Sequence, residues 1–412
     1  MTTDPTETRQ SEVTDASRSG ETDSSRSDAP VVACILAGGT GDRLYPLSRP
    51  NRPKQLLAFG GEQTLLERTV DRVSDIADQV WILTSAALEG AVRKRVPDAT
   101  VLVEPASLGT GPAAVYAAWH ARDTFTGPEP VLLTLPSDQY VEDRAAFVRT
   151  LEDAVSAARE TDGLVTIGVE PTRPATGFGY VVPERPVLSI DDSADTVPVA
   201  EFREKPNVDT ARSLLADGAR WNAGVFAWTP RSLLRATRDT QLESMVKTLQ
   251  RDDGPETAYH GTEPCSVDRA ILEGTDDAYV VSLPAAVGWD DLGTWDALGR
   301  VRGDGEDGLG FEADSDGNVT LETDIEVLAA TDNVVVAPEH DVSLLGVENL
   351  AVAVVDGKLL VTRRSESERV GELCARAREH DRDRSRGRDR DCECGGPQDR
   401  SRDADHSADS RR

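Results

Sequence analysis

The sequence predicts an α/β fold: a Rossmann-like, mostly parallel sheet covered by helices, followed by a small C-terminal β domain. Three observations carry this. Runs of strand length, VVACIL (31–36), VWIL (80–83), VLLTL (131–135) and LVTIGV (164–169), are apolar nearly throughout rather than alternating. Between them, Leu65 to Ile76, Pro112 to Arg122 and Ala145 to Ala158 place apolar residues at helical spacing. From about residue 312 the pattern changes to short β-branched runs such as NVTLE, NVVVA and LAVAVV, separated by turn residues.

Strands that are apolar on both faces need cover on both faces, and alternation with helices supplies it, which implies a parallel sheet. Ligands of such sheets lie beyond the carboxyl ends of the strands. Chemistry is therefore expected in the residues that follow each strand. Residues 1–29 and 379–412 are rich in Asp, Glu, Arg, Ser and Thr with almost nothing to bury, and are expected to be disordered tails. The expected organisation is a tail at 1–29, a catalytic domain at 30–305, a β domain at 306–378 closed by a helix from about Ser367 to Glu379, and a tail at 379–412.

Composition narrows the function classes. The chain has 412 residues, 38% of them hydrophobic, and a formal net charge of −29. Lysine occurs only at Lys54, Lys94, Lys205, Lys247 and Lys358, so nearly all positive charge is arginine. Such an acidic, lysine-poor surface resembles that of proteins from salt-loving microbes, where molar salt shortens the screening length to about 3 Å. It argues against nucleic-acid or anionic-membrane partners, which need a basic face. Cys34, Cys265, Cys374, Cys392 and Cys394 are few and scattered, which fits a reducing compartment and a cytoplasmic location. Cys392 and Cys394 with His380 and His406 match no zinc spacing.

Directly after the first strand, which ends at Leu36, stands AGGTGDR. Ala37, Gly38, Gly39 and Gly41 let the backbone approach a ligand and turn its N–H groups toward it, and Arg43 and Lys54 can neutralise phosphate oxygens. The spacing is neither that of the P-loop nor that of the dinucleotide fingerprint, since Leu44 stands where a third glycine would be. Glycines alone would suit an ordinary turn. The cluster of Arg43, Arg49, Arg52 and Lys54 favours an anion, because like charges repel unless one joins them. Asp138 follows a strand, where the ordinary role is a turn or cap. Paired with Asp291 it would suit Mg2+, which prefers one or two carboxylates with waters and phosphate oxygens. Lys205 next to Glu204 reads either as a surface ion pair or as a compact cation for a phosphate. Asn222 and Gly177 suit turns, and Trp221, Trp228, Trp289 and Trp295 suit a core.

The stretch LAGGTGDRLYPLSRPNRPKQLL resembles the signature of sugar-phosphate nucleotidyltransferases. Its Pro53-Lys54-Gln55 and Leu44-Tyr45-Pro46-Leu47-Ser48 look like the mannose-1-phosphate guanylyltransferase branch. LPSDQ, TGFGY (176–180), FREKP (202–206), WNAGVFAW (221–228) and VGWDDLGTWDAL (287–298) match further segments in order, so the resemblance covers 31 to about 300. It implies Arg43, Lys54 and Asp138 as catalytic, and Leu36, Ala37, Gly38, Gly39, Gly41, Gln55 and Glu104 as nucleotide-binding. It implies Gly177, Tyr180, Glu204, Lys205 and Asn222 as sugar-phosphate-binding, and Asp138 with Asp291 as holding Mg2+. The implied reaction is attack of mannose 1-phosphate on the α-phosphorus of GTP, giving GDP-mannose and pyrophosphate. Glucose-1-phosphate uridylyl or thymidylyl transfer stays open as an alternative, and so does a non-catalytic nucleotide-sugar-binding regulator. The C-terminal part resembles the same enzymes, which implies a β-helix-like domain and a homodimer. Two departures stand out. Asp42 replaces the family's usual Thr, and ASLGTGPAAV follows Glu104-Pro105 where an R-N-T-A-P-A-like run is common.

Overall fold

The structure, a computed structural model, describes residues 29–377 apart from 40, 188, 191–192, 252 and 302–307. The two tails proper, the Cys392–Cys394 pair with its histidines, and the expected boundary at 305 lie outside the described residues.

The described residues of the first part of the chain form β1 (Val31–Leu36), β2 (Gln79–Ser85), β3 (Thr100–Glu104), β4 (Val131–Pro136), β5 (Leu164–Val169), β6 (Tyr180–Pro183), a small hairpin β7 (Ser189–Ile190) with β8 (Ser193–Ala194), β9 (Thr196–Arg203), β10 (Arg220–Trp228) and β11 (Ala278–Leu283). All but the small hairpin join in one sheet in the order β3-β2-β1-β4-β10-β5-β11-β9-β6. The half containing β1 to β4 is parallel, and β5 pairs β11 in parallel. β10 runs antiparallel between β4 and β5, and β9 runs antiparallel to both β11 and β6. The sheet is thus mixed rather than mostly parallel. β6 returns to β9 through a hairpin instead of a crossover helix, and β9 leaves much of its length in solvent, so the both-faces-buried rule stops applying there.

The four expected strands appear within two residues of their predicted ends. The three expected helices are α1 (Leu65–Val73), α3 (Thr110–Thr124) and α4 (Arg144–Thr161), with α2 (Glu89–Arg95) between β2 and β3. Thr64 starts α1 with a capping box, its hydroxyl accepting from Glu67 N while Glu67 accepts from Thr64 N. Asp143 caps α4 through Ala146 N. β1 is buried at Val32, Ala33, Cys34 and Ile35, so its end is held rigidly where the glycine loop begins. No helix among the described residues is long and apolar enough to cross a membrane.

The C-terminal part forms β12 (Phe311–Ala313), β13 (Val319–Leu321), β14 (Ile325–Leu328), β15 (Val334–Val336), β16 (Val342–Leu345), β17 (Leu350–Val355) and β18 (Lys358–Arg363). β13, β15 and β17 stack in parallel in one sheet, and β14 and β16 stack in parallel in another. A 3-10 turn (Arg364–Arg369) and a helix over 370–377 follow. Leu44, Leu47 and Leu57 of the signature stretch share one core with Phe311, Val336 and Ala353. The β domain therefore forms the floor under the loop that follows β1.

Inside the stack, buried Asn318 and Asn333 form a polar ladder. Asn333 Nδ2 donates to Asn318 Oδ1 at 2.8 Å, and Asn333 Oδ1 accepts from Leu350 N at 3.0 Å. Asn333→Ala strips partners from Asn318 and from the Leu350 amide in a buried site. A loss of about 2–3 kcal/mol in a urea titration is expected. A midpoint equal to wild type would show that the ladder is not a stabilising element.

Candidate active site

The residues beyond β1 and β4 converge because the two strands are neighbours in register, Leu36 opposite Pro136, and Ser137 N donates to Leu36 O at 3.2 Å. Gln55, almost fully buried, donates from Nε2 to Ala37 O and Gly39 O, both at 2.9 Å. Its amide donors thus clamp the loop shut. The resemblance places Gln55 on the nucleotide, whereas the structure shows its N–H groups engaged by the loop itself. Thr84 Oγ1 adds a bond to Ala37 O, and Ser48 Oγ one to Gly41 O. Gly41 adopts φ +65°, and a Cβ there would lie 2.6 Å from Lys54 Cβ, so only glycine lets the loop pass over the lysine.

Lys54 is the centre of the site. Its side chain is 5% exposed, its Nζ lies 3.0 Å from Asp138 Oδ2, and it donates to the backbone carbonyl of Asp291. Asp138 arrives from the end of β4, and an isolated bridge between Tyr140 and Asp290 brings in the Asp291 segment. Gln139 braces this junction, donating to Ala223 O at 2.5 Å and accepting from Trp289 Nε1 at 3.1 Å. Asp291 Oδ1 accepts from Gly293 N at 3.1 Å. A Cβ at Gly293 would come 2.6 Å from Asp291 Oδ2 and 2.9 Å from Arg43 Nη2, so glycine is what lets these two groups share the space. Burial and the neighbouring Asp291 push the Asp290 carboxyl up to about 6, against the opposing pull of Arg300.

Arg43 extends from the short 3-10 turn that Asp42 opens, and its Nη1 donates to Glu368 Oε2 of the β domain at 2.7 Å. Burial lowers the Arg43 pKa, but Glu368, Asp291 and Asp138 together hold it above the ordinary arginine value. Glu368 also packs on Gly177, where a Cβ would stand 2.9 Å from its Oε1. Glu104 closes the other side of the loop. It is buried, takes a hydrogen bond from Tyr259 OH at 3.0 Å, and is pushed up to about 7 by burial, with the tyrosine partly opposing.

The second group of expected residues lies on β6, β9 and β10 and in the turns beside them. Asn222 accepts from Thr166 Oγ1 and Gly224 N and donates to Asp268 Oδ1 at 2.7 Å. Tyr180 is fully buried, its hydroxyl donating to Ala175 O, so it anchors the 173–178 segment from below. Lys205 is 55% exposed, pairs with Glu204 at 3.0 Å, and holds φ +42°, a strained value for a lysine. The four tryptophans are buried, as core residues.

Sequence reasoning missed Asp268, Tyr259, Gln139 and Arg173. Asp268 is buried, and burial together with Glu204 pushes it up to about 6. In sequence it looks like an ordinary acid in the first turn of the Val267–Ala270 helix. The altered run after Pro105 also finds a reason: Gly111 N donates to Cys265 O at 3.1 Å and Cys265 N to Leu108 O at 2.9 Å, a close backbone approach that bulkier residues would block.

A cavity of about 920 Å3 opens beside Asp291 between the 173–178 segment and the β domain. Among the described residues no cluster of three His, Cys, Asp or Glu side chains could hold a metal. Asp138 meets the ammonium through its carboxylate and Asp291 through its backbone carbonyl. Because Lys54 is buried and Asp138 is 30% exposed, the two ends of the ion pair are unequal. Asp138→Ala leaves a buried ammonium without its countercharge and should cost about 3 kcal/mol, whereas Lys54→Met leaves a carboxylate that can rehydrate and should cost under about 2 kcal/mol. Denaturant midpoints of the two variants check the order; the reverse order would contradict the burial asymmetry.

Residues 32–307 match the nucleotidyl transferase family. The xanthan biosynthesis protein XanB of Xanthomonas campestris pv. campestris (strain B100) is 32% identical over 363 residues, 84% of this chain and 73% of that protein. A mannose-1-phosphate guanylyltransferase of Escherichia coli is 30% identical over 360 residues, 83% of this chain and 74% of that one. The crystal structure of a Thermus thermophilus protein described as a mannose-1-phosphate geranyltransferase superposes with a TM-score of 0.74 at 31% identity, over 85% of this chain and 99% of that one. With that match over residues 32–307 and relatives at 30% identity or more over most of its length, the chain belongs to the nucleotidyl transferase family.

Proposed function

We propose that the protein transfers a guanylyl group from GTP to mannose 1-phosphate, releasing pyrophosphate. The observation that carries this is Lys54, whose buried ammonium joins the glycine loop to Asp138 and Asp291. The names of the relatives support the sugar phosphate and the base.

The loop amides of Gly38, Gly39 and Gly41 would wrap the triphosphate, with Arg43 and Lys54 neutralising it. Asp138 and Asp291 would hold Mg2+, whose preference for carboxylate oxygens they suit, and which when bound would neutralise charge on phosphate oxygens. Glu204, Lys205, Asn222 and the backbone at Gly177 would face the sugar. No protein nucleophile is needed, because the sugar phosphate is itself anionic; rate comes from alignment and charge neutralisation. Glu104 would read the base. Its Oε2 takes the Tyr259 hydrogen bond while its Oε1 lies toward Gly38, so it can accept from the adjacent N–H donors of guanine. The unusual run after Pro105 favours one second reading, a different base on the same chemistry. Stacked parallel pairs support a short β-helix-like coil for the C-terminal domain, and its exposed Leu328 and Leu345, paired across β14 and β16, support a homodimer. The free Cys34 and Cys265 support a reducing, cytoplasmic setting.

Pyrophosphate release over four nucleoside triphosphates and several sugar 1-phosphates, with Mg2+ in high KCl, should be dominated by GTP with mannose 1-phosphate. Release with another pair would reassign the specificity, and none at all would favour a regulator. Asp138→Asn keeps an acceptor for Lys54 and should retain native circular dichroism while losing turnover; near-wild-type rates in saturating Mg2+ would refute the metal assignment.

Glu104 also gives a pH dependence. Its folded pKa is raised to about 7, so the protonated form stabilises the free protein at low pH, and that stabilisation is lost as pH rises through 7. Guanine donors favour the carboxylate, so GTP binding should tighten with rising pH and level off above about pH 7. Glu104→Gln should flatten this profile and weaken GTP by about tenfold or more. A wild-type profile already flat from about pH 5.5 to 8 would contradict the role.

A further inference from the structure

The cavity beside Asp291 contains a cation that has no role so far. Arg173 lines it together with Gly177, Phe178, Asp291 and Thr294. The guanidinium carbon lies 4.9 Å from the ring centroid of Trp221 and 5.5 Å from that of Phe178, and Phe178 stands edge-on to Trp289 at 5.5 Å. The aromatic rings fix where the guanidinium sits without supplying a countercharge.

Of the other arginines that line the cavity, Arg300 and Arg364 are already matched, and Arg363 is exposed to solvent. Arg300 pairs with Asp290 and Asp296, Arg364 with Asp296, Arg43 with Glu368, and Lys205 with Glu204. Arg173 forms no ion pair among the described residues; it feels Asp290, Asp291 and Asp296 only through space, while burial and the like charge of Arg300 pull its pKa below the ordinary arginine value. A positioned, partly desolvated cation beside a second cation is unfavourable until an anion arrives. Its planar fork is the donor geometry that matches two phosphate oxygens. The position is also right for the chemistry, because Trp221 precedes Asn222, Gly177 lies four residues along the chain, and Asp291 shares the cavity.

We propose that Arg173 binds the phosphate of the sugar 1-phosphate, beside the Lys205 that the resemblance already assigns to it. The identity of the ligand rests on the proposed function; the anion site itself does not. It is a binding residue for the acceptor substrate, one that brings the attacking phosphate next to Asp291.

The test is calorimetric binding of mannose 1-phosphate, glucose 1-phosphate and GTP to wild type, Arg173→Lys and Arg173→Gln, with steady-state kinetics alongside. Arg173→Gln should weaken both sugar phosphates by about tenfold or more, as loss of a charged hydrogen-bonding group does, with GTP affinity within about twofold. KM for the sugar phosphate should rise more than kcat falls, and Arg173→Lys, which keeps the charge but not the planar fork, should bind between wild type and Arg173→Gln. Unchanged sugar-phosphate binding in Arg173→Gln would overturn the proposal. Equal weakening of GTP and sugar phosphate in both variants would overturn it too, since it would mark Arg173 as a packing residue only. Wild type that binds sugar phosphates through Arg173 yet releases no pyrophosphate with any nucleotide would support the anion site and refute the transfer reading.

Discussion

A single buried ammonium organises the site. Lys54 Nζ is held between Asp138 at the end of β4 and the backbone carbonyl of Asp291, under a glycine loop that only Gly41 allows to pass so close. The arrangement would be costly if any part were missing, because a charge removed from water needs both a partner and hydrogen bonds. Its benefit is positional. The loop and lysine share one stretch while the two aspartates come from segments far along the chain, and the one interaction brings them together.

The β domain maintains that register from outside. Leu44, Leu47 and Leu57 pack into its core, Arg49 pairs with Asp356, Arg43 with Glu368, and Asp296 with Arg364. The exposed ion pairs among these contribute little stability each. Their effect is on geometry, since Arg43 is held beside Gly293 by the Glu368 carboxylate. The C-terminal domain thus touches the candidate site directly, through Glu368 and the shared core.

Much of this was legible in the sequence, and the physical reason is the same wherever it was. β1, β4 and β5 are buried on both faces, so their apolar runs are continuous and their ends are sharp. β9 and β6 are partly exposed and joined by a hairpin, which hides them from that signal and makes the sheet mixed. The signature stretch exposes the loop and its cations because close backbone approach demands glycine at fixed positions. It does not expose what Gln55 does, since an amide that clamps two carbonyls and one that reads a base look alike in sequence. Asp268 and Arg173 are harder still: each gains its meaning from a partner, Asn222 or Trp221, that only the β10 register brings near. Asp42, at the start of the 3-10 turn, remains a departure from the family pattern.

The central claim is that these residues align and neutralise two phosphates rather than attack one. A guanylyl donor with a sulfur of defined configuration at the α-phosphorus tests it directly. Transfer in a single in-line step inverts that centre, and inversion in the sugar-nucleotide product, read by phosphorus NMR, is the outcome expected here. Retention would require two displacements and a covalent guanylyl-enzyme, and would contradict the account.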